Sequence, residues 1–186
     1  MRIAIFGGTF NPIHIGHTSL AQSLTRQGLV DEVWLMVSPQ NPLKGNDAAD
    51  YNDRLSMARI ATKGMKGIVV SDFERHLPVP SYTITTLTRL SEAYPQHQFS
   101  LVIGADNWES FTRWFQADRI MTHYPILIYQ RPGYVIDLAL APEGSDIRIV
   151  NTPIYDVSST EIRNHQKPEM INPDVLEYIR VHKLYF

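Results

Sequence analysis

Gly7–His17, GGTFNPIHIGH, follows the apolar run Ile3–Phe6 and leads into a stretch where Leu20, Ala21 and Leu24 recur at helical spacing. A glycine-rich turn between an apolar run and an amphipathic helix has three chemical readings: a dinucleotide fingerprint, a metal site or a phosphate cradle. The dinucleotide fingerprint needs G-x-G-x-x-G opening straight into a helix. Here Gly7 and Gly8 are adjacent and the third glycine, Gly16, comes only after Pro12, so the spacing fails. A metal is the second reading, because His14 and His17 stand three apart and on a helix would share a face. Zinc then needs a third protein ligand and usually a fourth. His76, His97, His123, His165 and His182 show no ligand-like spacing, and the chain has no cysteine. The third reading places both imidazoles and the free N–H groups of a helix start against phosphate oxygens, where the helix dipole already favours an anion. Gly16 then lets the phosphate chain approach the backbone. A bland alternative stands beside it: a turn, a helix start and two ordinary surface histidines.

Working outward, short aliphatic runs recur at Ile3–Phe6, Val33–Val37, Ile68–Ser71, Phe99–Ile103, Ile126–Tyr129 and Ile147–Val150. They have the length of strands and lack a polar alternation, as expected for a parallel sheet covered on both faces. Between them, Leu55, Ala58, Ile60 and Ala61, and then Ile84, Leu87 and Leu90, fall at helical spacing. The alternation predicts an α/β fold: a Rossmann-like, doubly wound, mainly parallel sheet with helices on both faces. In such sheets ligands bind beyond the carboxyl ends of the strands.

The 186 residues, 44% hydrophobic, suffice for one well-filled core, and the expectation is a single domain over 1–186 with a C-terminal helical subregion at about 153–186. That tail begins Asn172-Pro173-Asp174 and spaces Val175, Leu176 and Ile179 as a final helix. Ser38–Asp50, SPQNPLKGNDAAD, reads as a mobile loop over the site. A formal charge of −2 supplies no basic field for a polynucleotide. No signal-like or bilayer-spanning run is present, so a soluble, cytoplasmic protein without a membrane partner is expected; an oligomer is compatible with the sequence.

Val157–Arg163, VSSTEIR, offers a second phosphate element. Ser158 followed three residues later by Glu161 is a capping box, and its plain reading is a well-capped short helix. The same helix start presents N–H donors, Ser159 and Thr160 add hydroxyls, and Arg163 adds a planar cationic fork.

Together, GGTFNP with H-I-G-H and the distant S-S-T-E-I-R resemble the signature of the HxGH nucleotidyltransferases. Three further stretches resemble bacterial nicotinate-nucleotide adenylyltransferases in particular: SYTITTL at Ser81–Leu87, IGAD at Ile103–Asp106 followed by Trp114-Phe115, and a tail of the form Y-I-x-x-H-x-L-Y at Tyr178–Tyr185. The resemblance runs over essentially the whole chain. It implies ATP and nicotinate mononucleotide as substrates, with Mg2+ bound along with ATP and no metal held by the protein itself. It implies His14, His17 and Arg163 as catalytic groups, and Gly7, Gly8, Thr9, Phe10, Gly16, Gly104, Asp106, Ser158, Ser159 and Thr160 as the ATP site, Asp106 on ribose hydroxyls. Lys44, Thr83, Trp114 and Phe115 are then the mononucleotide site, Lys44 through phosphate, Trp114 stacking on the pyridine ring, and Thr83 with N–H groups near Phe115 receiving the carboxylate. An indole face suits a flat, electron-poor ring. Taken alone, Trp114 reads equally as a core aromatic, Asp106 as a turn cap and Lys44 as a solvated lysine.

Two positions depart from the family pattern, Asn11 and Thr85, each standing where an aspartate is frequent. Arg54 and Arg131 are further candidates to face phosphates, but Arg54 reads as well on a solvent face, and Arg131 precedes a Pro-Gly turn. The nearest alternatives keep the chemistry with nicotinamide mononucleotide, pantetheine phosphate or glycerol phosphate as acceptor, and the Tyr82-Thr83 and Trp114-Phe115 pairs argue against the last two. A non-catalytic nucleotide-binding module on the same fold is an alternative of another class.

Overall fold

The computed structural model describes residues 1–39 and 48–185. Six strands, β1 (Arg2–Gly8), β2 (Glu32–Val37), β3 (Ile68–Ser71), β4 (Gln98–Gly104), β5 (Ile126–Tyr129) and β6 (Ile147–Val150), form one sheet in the order β3-β2-β1-β4-β5-β6. Every neighbouring pair is parallel. Each strand contains the aliphatic run that predicted it.

The pleat divides the core. Ile3 and Ile5 of β1, Leu101 and Ile103 of β4, and Ile126 and Ile128 of β5 point to one face; Ala4 and Phe6, Val102, and Leu127 point to the other. Period-two alternation is hidden in the sequence because both faces are apolar. Each fully buried aliphatic chain contributes about 1.5–3 kcal/mol relative to exposure.

On the face of Ala4, Phe6, Val102 and Leu127 lie α1 (Ile15–Arg26), α2 (Tyr51–Ala61), α6 (Ser159–Arg163) and α7 (Pro173–His182), through Leu20, Leu24, Leu55, Ala58, Ile162, Val175 and Ile179. On the opposite face lie α3 (Thr83–Ala93), α4 (Ala105–Glu109) and α5 (Ala117–His123), through Ile84, Leu87, Leu90, Trp108 and Ile120. The doubly wound expectation holds.

Local chemistry starts these helices. Asp50 accepts the Asn52 N–H at 2.8 Å to open α2, and Asn172 accepts that of Asp174 at 2.8 Å, with Pro173 at the first position of α7. The final helix therefore starts where Asn-Pro-Asp predicted. It is pinned by the Tyr178 hydroxyl, which donates to Asp53 of α2 at 2.9 Å. The short helices α4 and α5 had no periodic signal, since five and seven residues are too few to show one. No helix among the described residues is long and apolar enough to cross a membrane.

Candidate active site

β1 and β4 are neighbours, but the chain leaves β1 toward α1 on one face and leaves β4 toward α4 on the other. The two loops part and open a crevice, the switch point where an α/β sheet binds its ligand. A cavity of about 740 Å³ occupies it, lined by Gly7, Gly8, His17, Gly104, Asp106, Ser159 and Arg163, and further along by Ser81, Tyr82, Thr83, Trp114 and Phe115. The stretches singled out in the sequence thus meet in one place.

At the β1 end the backbone does much of the shaping. A Cβ on Gly7 would meet no protein atom within 4 Å and so would stand in the cavity. On Gly8 it would lie 2.9 Å from the Phe10 ring. Phe10 takes a positive φ of 46° and is 3% exposed; its ring meets Phe6 edge-on at 5.8 Å and His17 at 5.1 Å. Its side chain props the histidine loop. Thr9 is buried beside it, and its hydroxyl has no partner among the described residues.

His14 is the N-cap of α1, and its backbone N–H donates to His17 Nδ1 at 3.2 Å, closing the first turn. Because Nδ1 accepts, the proton of a neutral His17 ring sits on Nε2. The two imidazoles stack, centroids 3.6 Å apart and planes 28° from parallel, which is not the convergent arrangement the zinc reading required. Among the described residues, no group of three His, Asp or Glu side chains is placed to hold a metal.

His14 is 6% exposed, and burial, assisted by the positive charge of Arg131, lowers its pKa to about 4. It is therefore neutral at pH 7. It faces a smaller recess next to the main cavity, bounded also by Gly16, Tyr129, Arg131 and Val157. Gly16 differs from expectation here: a Cβ would lie 3.1 Å from the His14 ring and 3.2 Å from Val157, so its missing side chain admits protein atoms that join the two motif loops.

The α6 start is the predicted capping box. The Glu161 N–H donates to Ser158 Oγ at 3.2 Å, and Ser158 N–H donates to the Glu161 carboxylate at 2.8 Å. Ser158 also donates its hydroxyl to Glu161, so it serves its own helix and does not line the main cavity. Thr160 is exposed, away from that cavity, and accepts from Arg163 Nη2 at 3.2 Å. Ser159 Oγ donates to Pro12 O at 2.9 Å and Arg163 Nη1 to Asn11 O at 2.6 Å, so the helix start is tied directly to the β1 loop.

Asn11 joins more segments than any spacing revealed. Its Oδ1 accepts the Ala49 N–H at 3.0 Å and the Tyr185 hydroxyl at 2.6 Å. An aspartate would offer the same oxygen; asparagine does so without a negative charge beside the N–H donors. Arg54 also corrects a solvent-face reading. It is 2% exposed, and its guanidinium donates to the carbonyls of Thr9 (2.7 Å), Ser38 (2.9 Å) and Ala49 (2.9 Å), locking the loops after β1 and β2 together. Neither role had a local sequence signal, because each partner lies far along the chain.

At the β4 end, Asp106 Oδ2 accepts from Arg131 Nη1 at 2.9 Å, while its Oδ1 is buried without a partner among the described residues. Gly104 makes room for this pair: a Cβ there would overlap the Asp106 carboxylate and lie 2.9 Å from Arg131 Cδ. Beyond it Trp114 is half-buried against Phe111, centroids 5.0 Å apart, with its Nε1 buried and unpartnered among the described residues. Phe115 is 52% exposed and meets the Tyr82 ring at 4.7 Å. Thr83 is the first residue of α3. Thr85 does not line the cavity. Lys44 lies outside the described residues.

Residues 5–165 match the family model described as Cytidylyltransferase-like. Relatives named probable nicotinate-nucleotide adenylyltransferase include one from Bacteroides thetaiotaomicron, 45% identical over 97% of this chain and 91% of the relative. Another, from Cytophaga hutchinsonii, is 39% identical over 100% and 98%. The structure of Plasmodium falciparum nicotinic acid mononucleotide adenylyltransferase complexed with NaAD superimposes with a TM-score of 0.85 over 99% of this chain and 97% of that one, at 22% identity, and shares its fold. With motifs, architecture and these relatives in agreement along nearly its full length, the chain belongs to the nicotinate-nucleotide adenylyltransferase family.

Proposed function

We propose that the protein transfers the adenylyl group of ATP to nicotinate mononucleotide, forming nicotinate adenine dinucleotide and releasing pyrophosphate. The observation that carries this reading is the junction at the sheet's switch point: the loop from β1 and the start of α6 are bonded to one another through Ser159 and Arg163, and the Tyr82–Trp114–Phe115 cluster lies along the same cavity.

A phosphate oxygen of the mononucleotide attacks the α-phosphorus of ATP, and the bond from that phosphorus to the oxygen bridging the α and β positions breaks. The nucleophile is already ionised at neutral pH, so no general base is needed. Catalysis then consists of alignment and of stabilising charge on the leaving pyrophosphate. His17 donates through Nε2–H, with His14 beside it, to the α and β phosphates; N–H groups after Gly8 assist. Ser159 and Arg163 at the α6 start receive the leaving end, Thr160 steadying the Arg163 guanidinium. Asp106 Oδ1 accepts ribose hydroxyls. Trp114 stacks on the pyridine ring, and Thr83 with the backbone near Phe115 receives its carboxylate.

Mg2+ bound with the triphosphate would supply charge shielding. The donors around the β1 end suit anionic oxygens, and no residue among those described is assigned to hold the ion. Lys44 adds a cation on the mononucleotide phosphate. The protein acts in solution on these small molecules.

Pyrophosphate release measured with ATP and each mononucleotide in turn tests the reading. Turnover with nicotinate mononucleotide well above that with the amide is expected. Equal rates with both remove the assigned acid preference, and no release with either removes the enzyme.

A further inference from the structure

Glu74 is a buried carboxylate that none of these steps uses. It stands in the single turn Phe73–His76 after β3, is 7% exposed, and lines the acceptor part of the cavity. Its Oε1 accepts the hydroxyl of Thr86 at 2.7 Å, and Thr86 is itself 2% exposed. Burial pushes the Glu74 pKa up, and the Thr86 hydroxyl opposes that by favouring the charged form. No lysine or arginine pairs with Glu74 among the described residues. A carboxylate buried without a cation is costly, and a glutamine would make the same bond to Thr86 without a charge.

The bond leads into the acceptor elements. Thr86 closes the first turn of α3: its N–H donates to Tyr82 O at 3.1 Å, and its hydroxyl lies 3.4 Å from the same carbonyl. Tyr82 in turn packs on Phe115 at 4.7 Å, and Thr83 begins the helix. Glu74, in the turn after β3, therefore ties the first turn of α3 to that turn, and both line the cavity.

We propose that Glu74 is a positioning residue for the acceptor, which sets the α3 start, and with it Tyr82 and Thr83, against the mononucleotide. This rests on the acceptor assignment made above. The test is steady-state pyrophosphate release by the full chain carrying Glu74→Leu, Glu74→Gln, Thr86→Val or Trp114→Ala, with each substrate varied.

Glu74→Leu and Thr86→Val are expected to raise the mononucleotide KM about tenfold and to leave the ATP KM within about twofold, while Glu74→Gln, which keeps an acceptor oxygen, stays within about threefold of the parent. An unchanged mononucleotide KM, an ATP KM rising in step, or a Glu74→Gln enzyme as impaired as Glu74→Leu each overturns the role. Thr86→Val carries the test if Glu74→Leu does not fold. If Trp114→Ala leaves the mononucleotide KM unchanged, the acceptor assignment itself fails; if it raises that KM while the Glu74 and Thr86 variants do not, only the role of Glu74 falls.

Discussion

At the β1 end of the cavity the lining groups come from two contiguous stretches, Gly7–His17 and Ser159–Arg163, whereas the end proposed for the acceptor draws on the turn after β3, the α3 start, the β4 loop and Trp114-Phe115. The first end is largely backbone, glycine and helix starts. The second is side chains converging from distant segments. Phosphate is small, charged and symmetric, so N–H groups at fixed spacing recognise it and a short motif suffices. A flat ring needs a shaped wall, and no local spacing encodes one.

Burial also acts with opposite sign at the two ends. It lowers the pKa of His14 to about 4 and keeps that imidazole neutral; it raises the pKa of Glu74 and opposes its charge. Desolvation disfavours whichever form is charged.

The largest effect that can break this contrast is expected at His17. Glutamine there can still accept the His14 N–H in the manner of a capping box, so the fold should persist while the imidazole donor is lost. His17→Gln should lower kcat about 10²–10³-fold, by analogy with loss of one donor to developing charge. Near-parental turnover with an unchanged melting temperature would remove His17 from the phosphate site.

Gly104→Ala probes the border between the ends, because its Cβ has to displace the Asp106–Arg131 pair. A rise of about tenfold in the ATP KM, equivalent to about 1.4 kcal/mol, is expected. Titrating ATP against the variant measures it, and unaltered affinity would place the ribose elsewhere.

The pH response distinguishes the two buried groups. The folded pKa of His14 lies below its unfolded value of 6.5, so its contribution to stability is complete above about pH 6.5 and is lost as pH falls toward 4. Between pH 7 and 5 that loss is about 2 kcal/mol. Glu74, whose folded pKa is raised, has the opposite sign: protonating it favours the folded state. Denaturant melts of the parent and of His14→Asn across this interval should show a shallower acid dependence in the variant; identical slopes would mean that His14 is not buried as a neutral ring.

The smallest effect is expected at the tail. Tyr185→Phe deletes the hydroxyl that donates to Asn11 and should cost about 1 kcal/mol of stability. If calorimetry instead finds the variant equal to the parent, the tail does not brace the β1 loop.

Much of the fold was legible in advance because each strand carries a run of aliphatic residues and each longer helix a face of them. The short helices α4 and α5 were not, and Trp108, 1% exposed with its Nε1 donating to Asp137 O at 2.7 Å, belongs to that unread stretch. In the site, the capping box Ser158–Glu161 was readable because both partners lie within one turn. Yet Ser158 and Thr160 serve α6 itself, and Gly16 makes space for His14 and Val157.

The sequence by itself determined the strand runs, the helix starts and the two motif stretches Gly7–His17 and Val157–Arg163, since these depend on contacts spanning a few residues and on spacing that the chain displays directly. Only the tertiary structure decided that Arg54 is buried beneath the carbonyls of Thr9, Ser38 and Ala49, that Asn11 meets Tyr185 across 174 positions, and that Glu74 meets Thr86 in the first turn of α3. Those contacts come from the order in which parallel strands assemble. That order brings together residues whose separation along the chain carries no periodicity to read.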